Sequence, residues 1–354
     1  VGFAGSIERV GTHRFVVEPD SDMRDLVVAT AMTVFGVGSV DVVSEVAFTD
    51  LDDLARAVAD ASAERVDGST FAVRVKRRGS HDWQSIDLAR IAGSHLVAAG
   101  GRVDLTDPEE TVDVRVLDER AFLVLDHHSG PGGLPLGTQD RVLCLLSGGF
   151  DSVVAAWMLM SRGSPVDFVH FSLNCAQSDH ALAVGREMWS RWGHGTQPTV
   201  HLVEFQPVKD ALFDSVESHM RQVTLKVMMA RAAEAIAKED RTLALVTGDS
   251  LGQVSSQTMS HLVAVSEAVT RPILRPLVGL PKESIIDLAR TIGTADLSAR
   301  AQEVCDLSEG KPVATSSRTG KVHESADLIP DEVMADVLAT RKTFMLSDWT
   351  PGQF

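Results

Sequence analysis

The chain changes texture near its middle. Over its first 127 residues, apolar positions either alternate with polar ones or recur every three to four residues. These are the signatures of half-buried strands and of helices with one buried face. Residues 14–18 and 40–46 read as strands, and residues 71–75 alternate before running into Lys76-Arg77-Arg78. Residues 112–116 alternate with period two, turn at 118–120 and run back through 121–125, which predicts a hairpin with one wet face. Helical spacing marks residues 22–34, 50–63 and 86–99, the second with Thr49 or Asp50 as its N-cap. These elements make an α+β part.

Residues 130–138, Gly-Pro-Gly-Gly-Leu-Pro-Leu-Gly-Thr, are too rich in Gly and Pro for either element and mark the best boundary in the chain. Beyond them, residues 142–146 are continuously apolar, as in a strand buried on both faces. A helix over 151–162 follows, closed by Gly163. Strands are predicted at 166–173, 200–205, 242–246 and 273–277, and helices at 180–192, 223–238 and 282–292. Such alternation means βαβ units and a parallel sheet. The tail after residue 311 is polar and mixed, with one helix at 330–340.

A length of 354 residues bounds the chain to two or three domains. No apolar window is long enough for a membrane span, and no charged stretch leads into an apolar one as in a secretory signal. The chain opens on Val1 rather than Met. Three cysteines without a CxxC argue against a disulfide framework and a closed zinc site, and for a reducing cytoplasm. The net charge of -16 disfavours nucleic acid, whose phosphates need Lys and Arg. What decides is a local basic face, not the sum.

The chemistry concentrates where the first parallel strand ends, at Ser147-Gly148-Gly149-Phe150-Asp151-Ser152. In an open parallel sheet, ligands sit beyond the carboxyl ends of the strands. Two glycines let backbone approach a ligand, and the following helix points free N–H groups back at the turn. Neither a Walker loop nor a dinucleotide fingerprint is present. Asp151 would repel a phosphate unless Mg²⁺ bridged them, so the turn suggests a metal-bound polyphosphate. The plain alternative is a strand–helix turn with no ligand.

The turn is identified as the SGGxDS signature of the PP-loop, or N-type ATP pyrophosphatase, superfamily, whose members adenylate a substrate and release pyrophosphate. Residues 245–258 (Leu-Val-Thr-Gly-Asp-Ser-Leu-Gly-Gln-Val-Ser-Ser-Gln-Thr), 71–79, 136–139, 273–277 and 282–290 resemble matching segments of tRNA 4-thiouridine synthetases, the ThiI-type sulfurtransferases. The resemblance runs from about residue 22 to about residue 312. It implies an α+β N-terminal RNA-binding part followed by an α/β, Rossmann-like parallel-sheet PP-loop domain of the adenine nucleotide alpha hydrolase kind. Residues 1–23 would be the remnant of a ferredoxin-like domain, 24–127 a THUMP domain, 128–140 a linker, 141–310 the ATP pyrophosphatase domain and 311–354 an extension.

The implied reaction is ATP-dependent thiolation of the uridine at the eighth tRNA position. ATP adenylates O4, pyrophosphate leaves, and a cysteine persulfide delivers sulfur. The resemblance places adenine against Leu145 and Leu146, and pyrophosphate with Mg²⁺ at Ser147, Gly148, Gly149, Asp151 and Ser152. Lys226, Gly248 and Gln257 match further ATP contacts. By itself, Gly248 ends an apolar strand where backbone must pass close to a ligand, and Gln257 both donates and accepts, as an adenine edge demands. Lys282 opens a helix, an unfavourable place for a cation, which calls for an anion in front of it. Cys305 matches the family's catalytic cysteine; a thiolate is the nucleophile in sulfur chemistry. Lys76, Arg77 and Arg78 match the THUMP grip on tRNA.

The implied partners are tRNA, a cysteine desulfurase and a second copy of the chain, with no membrane. No rhodanese segment and no cysteine follows Cys305, which leaves three sulfur routes. A separate rhodanese or the desulfurase loads Cys305 directly, the chain is part of a longer one, or Cys175 serves as a second redox cysteine. The missing rhodanese also weakens an implied link to thiamine synthesis. The rival functions are another PP-loop adenylating synthetase and a tRNA-binding module with impaired sulfur transfer. The THUMP-like half argues against the first, and intact Ser147–Ser152, Lys226 and Gln257 argue against the second.

Overall fold

The structure, a computed structural model, describes residues 5–10, 12–173, 175–301, 307 and 313–353; the side chains of residues 21 and 175–177 lie outside that description. The chain divides into two compact units, Val1–Met32 with Gly38–Gly130, and Thr33–Val37 with Pro131–Phe354.

In the first unit, β1 (Gly5–Arg9) and β2 (Phe15–Pro19) pair as an antiparallel hairpin. There follow a 3-10 turn at Ser21–Met23, α1 (Arg24–Ala31), β3 (Ser39–Val46), α2 (Leu51–Val66), β4 (Thr70–Arg78), α3 (Ser85–Ala98), β5 (Arg102–Val103), β6 (Glu110–Leu117) and β7 (Arg120–Ser129). Strands β3-β7-β6-β4-β5 make one mixed sheet in that order. Asp50 is the N-cap of α2, accepting from the Asp53 amide at 2.9 Å. The apolar stripes of α2 and α3, including Leu54, Val58, Leu88 and Leu96, pack on Phe71, Val112, Val114, Val116 and Leu123. The period-two pattern of β6 thus resolves as an inner row of valines and an outer row with Asp113 and Arg115, the two paired at 3.2 Å. Arg120 ties the hairpin to the sheet, meeting Glu8 and Glu45 at 2.7 Å each.

In the second unit, β8 (Val142–Leu145), α4 (Phe150–Met160), β9 (Val166–Ser172), α5 (Cys175–Trp192) and β10 (Thr199–Glu204) run as consecutive βαβ units. After α6 (Gln206–Ser215) and α7 (Arg221–Glu239) the chain returns to β11 (Leu245–Val246), then α8 (Met259–Glu267), β12 (Ile273–Leu274), α9 (Lys282–Ile292) and α10 (Ala295–Ser298). The last elements are α11 (Thr319–Ala326), α12 (Asp331–Ala339) and β13 (Lys342–Met345). The sheet order is β12-β11-β8-β9-β10-β13, parallel except for β13, which pairs antiparallel with β10.

The continuous apolar runs now have their reason. Leu143, Val169 and Phe171 enter a core with α6, α7 and α8, while Val142, Cys144, Leu146 and Phe168 enter another with α4, α5 and α9. Full burial pushes the Cys144 thiol up to about 12, which makes it inert packing. The chain leaves β8 toward β9 and β10, then crosses back to β11 on the other side of β8. The carboxyl ends of β8 and β11 therefore flank a topological switch point, where open parallel sheets bind ligands.

Some elements differ from the sequence pattern. Helix α5 starts at Cys175, ahead of the predicted residue 180, through polar residues held by tertiary partners: Ser178 Oγ donates to Ser172 Oγ at 3.0 Å, and Asp179 accepts from Trp349 Nε1 at 3.3 Å. The strand predicted over 242–246 shrinks to two residues, because Arg241 turns left-handed at φ 59 and Thr242 bonds back to Ala237. The helix expected over 22–34 spans only Arg24–Ala31 and buries none of its residues fully.

Candidate active site

Ser152, 3% exposed, closes the loop after β8. Its Oγ accepts from the Ser147 amide and lies 3.0 Å from the Ser147 carbonyl, to which it donates. Its one proton thus serves the turn, where the sequence had it facing a ligand. Gly149 is the N-cap of α4, and a Cβ there would meet nothing nearer than Ser147 Oγ at 3.9 Å, so the space over the loop is open. Gly148 is different: a Cβ would lie 2.4 Å from His180 Cδ2. Leu146 is buried in the core and Leu145 half-buried against the opposite one, so neither offers a free apolar platform in full.

Asp151, in the first turn of α4, has both oxygens engaged. Lys282 Nζ meets Oδ1 at 2.8 Å, and Gln253 Nε2 meets Oδ2 at 2.9 Å. The anion in front of Lys282 is therefore a carboxylate of the protein, not only a phosphate to come. Lys282 Nζ also lies 5.5 Å from the centre of the Phe150 ring.

A second carboxylate, Asp249, organises the β11 side. Lys226 Nζ binds its Oδ1 at 2.8 Å, and Gln257 Nε2 approaches the same oxygen at 3.4 Å. Thr247 Oγ1 donates to Oδ2 at 2.7 Å, with Arg275 Nε at 3.4 Å. Burial pushes the Asp249 carboxyl up, but Lys226, Thr247 and Arg275 outweigh it and hold the group below its ordinary value. Gly248 brings the two sides together: a Cβ there would lie 2.6 Å from the Asp151 carbonyl carbon and 2.7 Å from the Ser152 nitrogen. The backbone that Gly248 must pass closely is that of the loop itself, whereas the sequence suggested a ligand.

His170 adds a group the motifs did not reveal. Its Nδ1 donates to the Leu146 carbonyl at 2.9 Å, so Nε2 is a bare acceptor, and burial lowers its pKa. His170 Nε2, His180 Nε2, Gln253 Oε1 and Gln257 Oε1 are all buried without a hydrogen-bond partner among the described residues. Gln253 and Arg275 sit inside the quoted motifs and were legible there, but His170 and His180 carried no signal beyond their place at the sheet's carboxyl edge. Cys305 lies outside the described residues. Cys175 begins α5, and its side chain is outside them too.

In the first unit, Lys76 and Arg78 are exposed at the end of β4, and with His13, Arg14 and Arg77 they line a groove of about 290 Å³. Arg77 donates to His81 Nδ1 at 3.1 Å and lies 5.4 Å from the Trp83 ring centre, and Trp83 packs on the core below.

A family model described as thiamine biosynthesis protein (ThiI) matches residues 137–329, more than half of the chain. The chain belongs to the ThiI family. A THUMP domain model matches residues 46–126. This ThiI-family chain is 43% identical over 277 residues to a tRNA sulfurtransferase of Desulfurococcus amylolyticus, covering 77% of itself and 58% of that protein. It is 38% identical over 330 residues to one of Escherichia coli O8, covering 91% and 68%. It thus spans about three-fifths to two-thirds of these relatives' length. Among solved structures, a 4-thiouridine synthetase–RNA complex with bound ATP superposes with a TM-score of 0.83 at 24% identity, covering 96% of this chain and 90% of that one. That likeness speaks for the fold: a THUMP part, then a PP-loop domain with a parallel sheet.

Proposed function

We propose that this ThiI-family chain is a tRNA uracil 4-sulfurtransferase that binds ATP on the loop at residues 147–152. One observation carries the reading. Buried polar atoms without partners are few in folded proteins, and each needs an explanation. Four of them sit at one topological switch point, three against the loop after β8 and Gln257 on Asp249 after β11, and a nucleotide there would satisfy them. The amides at the start of α4 meet phosphate oxygens. Lys226 and Lys282, held on Asp249 and Asp151, supply cationic charge, and the open acceptors Gln257 Oε1 and His170 Nε2 suit the donating amino group of an adenine edge.

Mg²⁺ would enter with ATP, whose phosphates need a counter-ion beside a carboxylate. Asp151 would hold it, and the ion would neutralise phosphate charge. No helix among the described residues is long and apolar enough to cross a membrane. The reading makes the protein a cytoplasmic tRNA enzyme that works as a homodimer.

The division proposed is a THUMP domain at 24–127, after a ferredoxin-like remnant, and a PP-loop domain at 141–310. The groove with Lys76, Arg77 and Arg78 takes tRNA phosphate. Uridine O4 attacks the α-phosphate of ATP and pyrophosphate leaves. The terminal sulfur of a Cys305 persulfide, loaded by a cysteine desulfurase directly or through a separate rhodanese, attacks C4, and AMP departs with O4. A second thiol then releases the thiouridine by forming a disulfide with Cys305, which an external thiol reduces.

The test separates the half-reactions. With Cys305→Ser, ATP–pyrophosphate exchange stimulated by tRNA should persist, while 4-thiouridine, measured by mass spectrometry of the tRNA, should vanish. Exchange that ignores tRNA would point to a small-molecule synthetase, and tRNA binding without any exchange would point to a binding module.

A further inference from the structure

His180 is an unpartnered group at the loop to which the reading above assigns no particular contact. The two residues before it on α5 are anchored by their side chains. Ser178 Oγ donates to Ser172 Oγ at 3.0 Å, and Asp179 accepts from Trp349 Nε1 at 3.3 Å and from the Gly352 amide at 3.0 Å. The ring lies against the loop, with Nε2 3.2 Å and Cδ2 2.4 Å from where a Gly148 Cβ would stand. Gly148 has no side chain, and the imidazole fills the space one would take.

A histidine serving only to pack usually satisfies its nitrogens. His261, elsewhere in the same unit, does so with Nδ1 on the Ser255 carbonyl and Nε2 on Ser317 Oγ. His180 Nε2 is buried and has no partner among the described residues. A buried polar atom left open beside an anion-binding turn is held ready for a ligand.

We infer that His180 is a further nucleotide-binding residue, its Nε2–H donating a hydrogen bond to a phosphate oxygen of the polyphosphate on the loop at residues 147–152. The inference rests on that loop being the polyphosphate site. It differs from the lysine contacts in kind. Lys226 and Lys282 bring charge, while His180 brings a directed donor whose position is set by α5.

The experiment measures binding of ATP, inorganic pyrophosphate and adenosine, each with Mg²⁺, to the wild type, His180→Phe and His180→Gln. Phenylalanine keeps the ring that fills the space beside Gly148 and removes the donor, and glutamine keeps a donor of similar reach. The expected result is a loss of about tenfold or more for ATP and pyrophosphate in the phenylalanine variant. Adenosine should bind unchanged, and glutamine should recover most of the loss. Should the phenylalanine variant not fold, as judged by its melting transition, His180→Asn, too short to reach, takes its place against glutamine. Equal pyrophosphate affinity in the wild type and the donor-free variant overturns the assignment and leaves His180 as packing. If the wild type itself binds no pyrophosphate, the reading of the loop fails first.

Discussion

Asp249→Ala is expected to lower the free energy of unfolding by about 3–5 kcal/mol, the usual cost of removing one partner from a buried charge pair, and to abolish detectable ATP binding. Lys226 and Arg275 are only 25% and 13% exposed at their side chains and would be left as unpaired cations. Gln257 and Thr247 lose the same acceptor. The two candidate ATP contacts Lys226 and Gln257 share one Asp249 oxygen, so one change releases both. Asp249→Asn keeps the shape and removes only the charge, and it should impair binding more than folding. Urea titration and calorimetry with ATP separate the two effects. The wild-type carboxyl sits below its ordinary value. Its contribution is therefore complete above the unfolded-state value and is lost as pH falls through the folded one, below about pH 4. The asparagine variant should show a shallower loss of stability in that range.

Two glycines of the same site should respond oppositely. Gly248→Ala places a Cβ within 2.8 Å of three backbone atoms of Asp151 and Ser152. No side chain can rotate to relieve that, so the β11 side must move away from the loop. The expected cost is about 1–3 kcal/mol of stability, as for other overpacked sites, with roughly a hundredfold fall in adenylation rate from the displaced Lys226 and Asp151. Gly149→Ala meets only Ser147 Oγ at 3.9 Å. It should melt like the wild type and yet bind ATP weakly, because a methyl group would stand where phosphate approaches the backbone. Thermal melts with single-turnover pyrophosphate release read both. A Gly149→Ala protein with full ATP affinity would show that nothing approaches the backbone at that glycine.

How much was legible follows from where each signal resides. The parallel sheet and the loop could be read because β8 and β9 are apolar on both faces and because Ser147–Ser152 is a local, contiguous pattern. Helices α6, α8, α10 and α11 and strands β1, β5 and β13 were missed. The last exists only through pairing with β10, and Lys-Thr-Phe-Met carries no alternation of its own. The site residues named from the motifs on the loop and after β11 do converge, since β8 and β11 are neighbours in register, Leu143 with Leu245 and Cys144 with Val246. What the sequence could not give was the pairing among them. That Asp151 is held by Lys282 and Gln253, or that Gly248 serves the loop's own backbone, depends on residues about a hundred positions apart. His170 and His180 are invisible in any motif, and only burial without a partner marks them.

The decisive measurement is the structure of this protein with Mg²⁺ and ATP at saturating concentration. The β- and γ-phosphates should lie against the amides of residues 147–152, with Lys226 and Lys282 reaching phosphate oxygens from beside Asp249 and Asp151 and the adenine near His170 and Gln257. A loop left empty while ATP binds elsewhere, or does not bind, would contradict the proposed reaction at its first step.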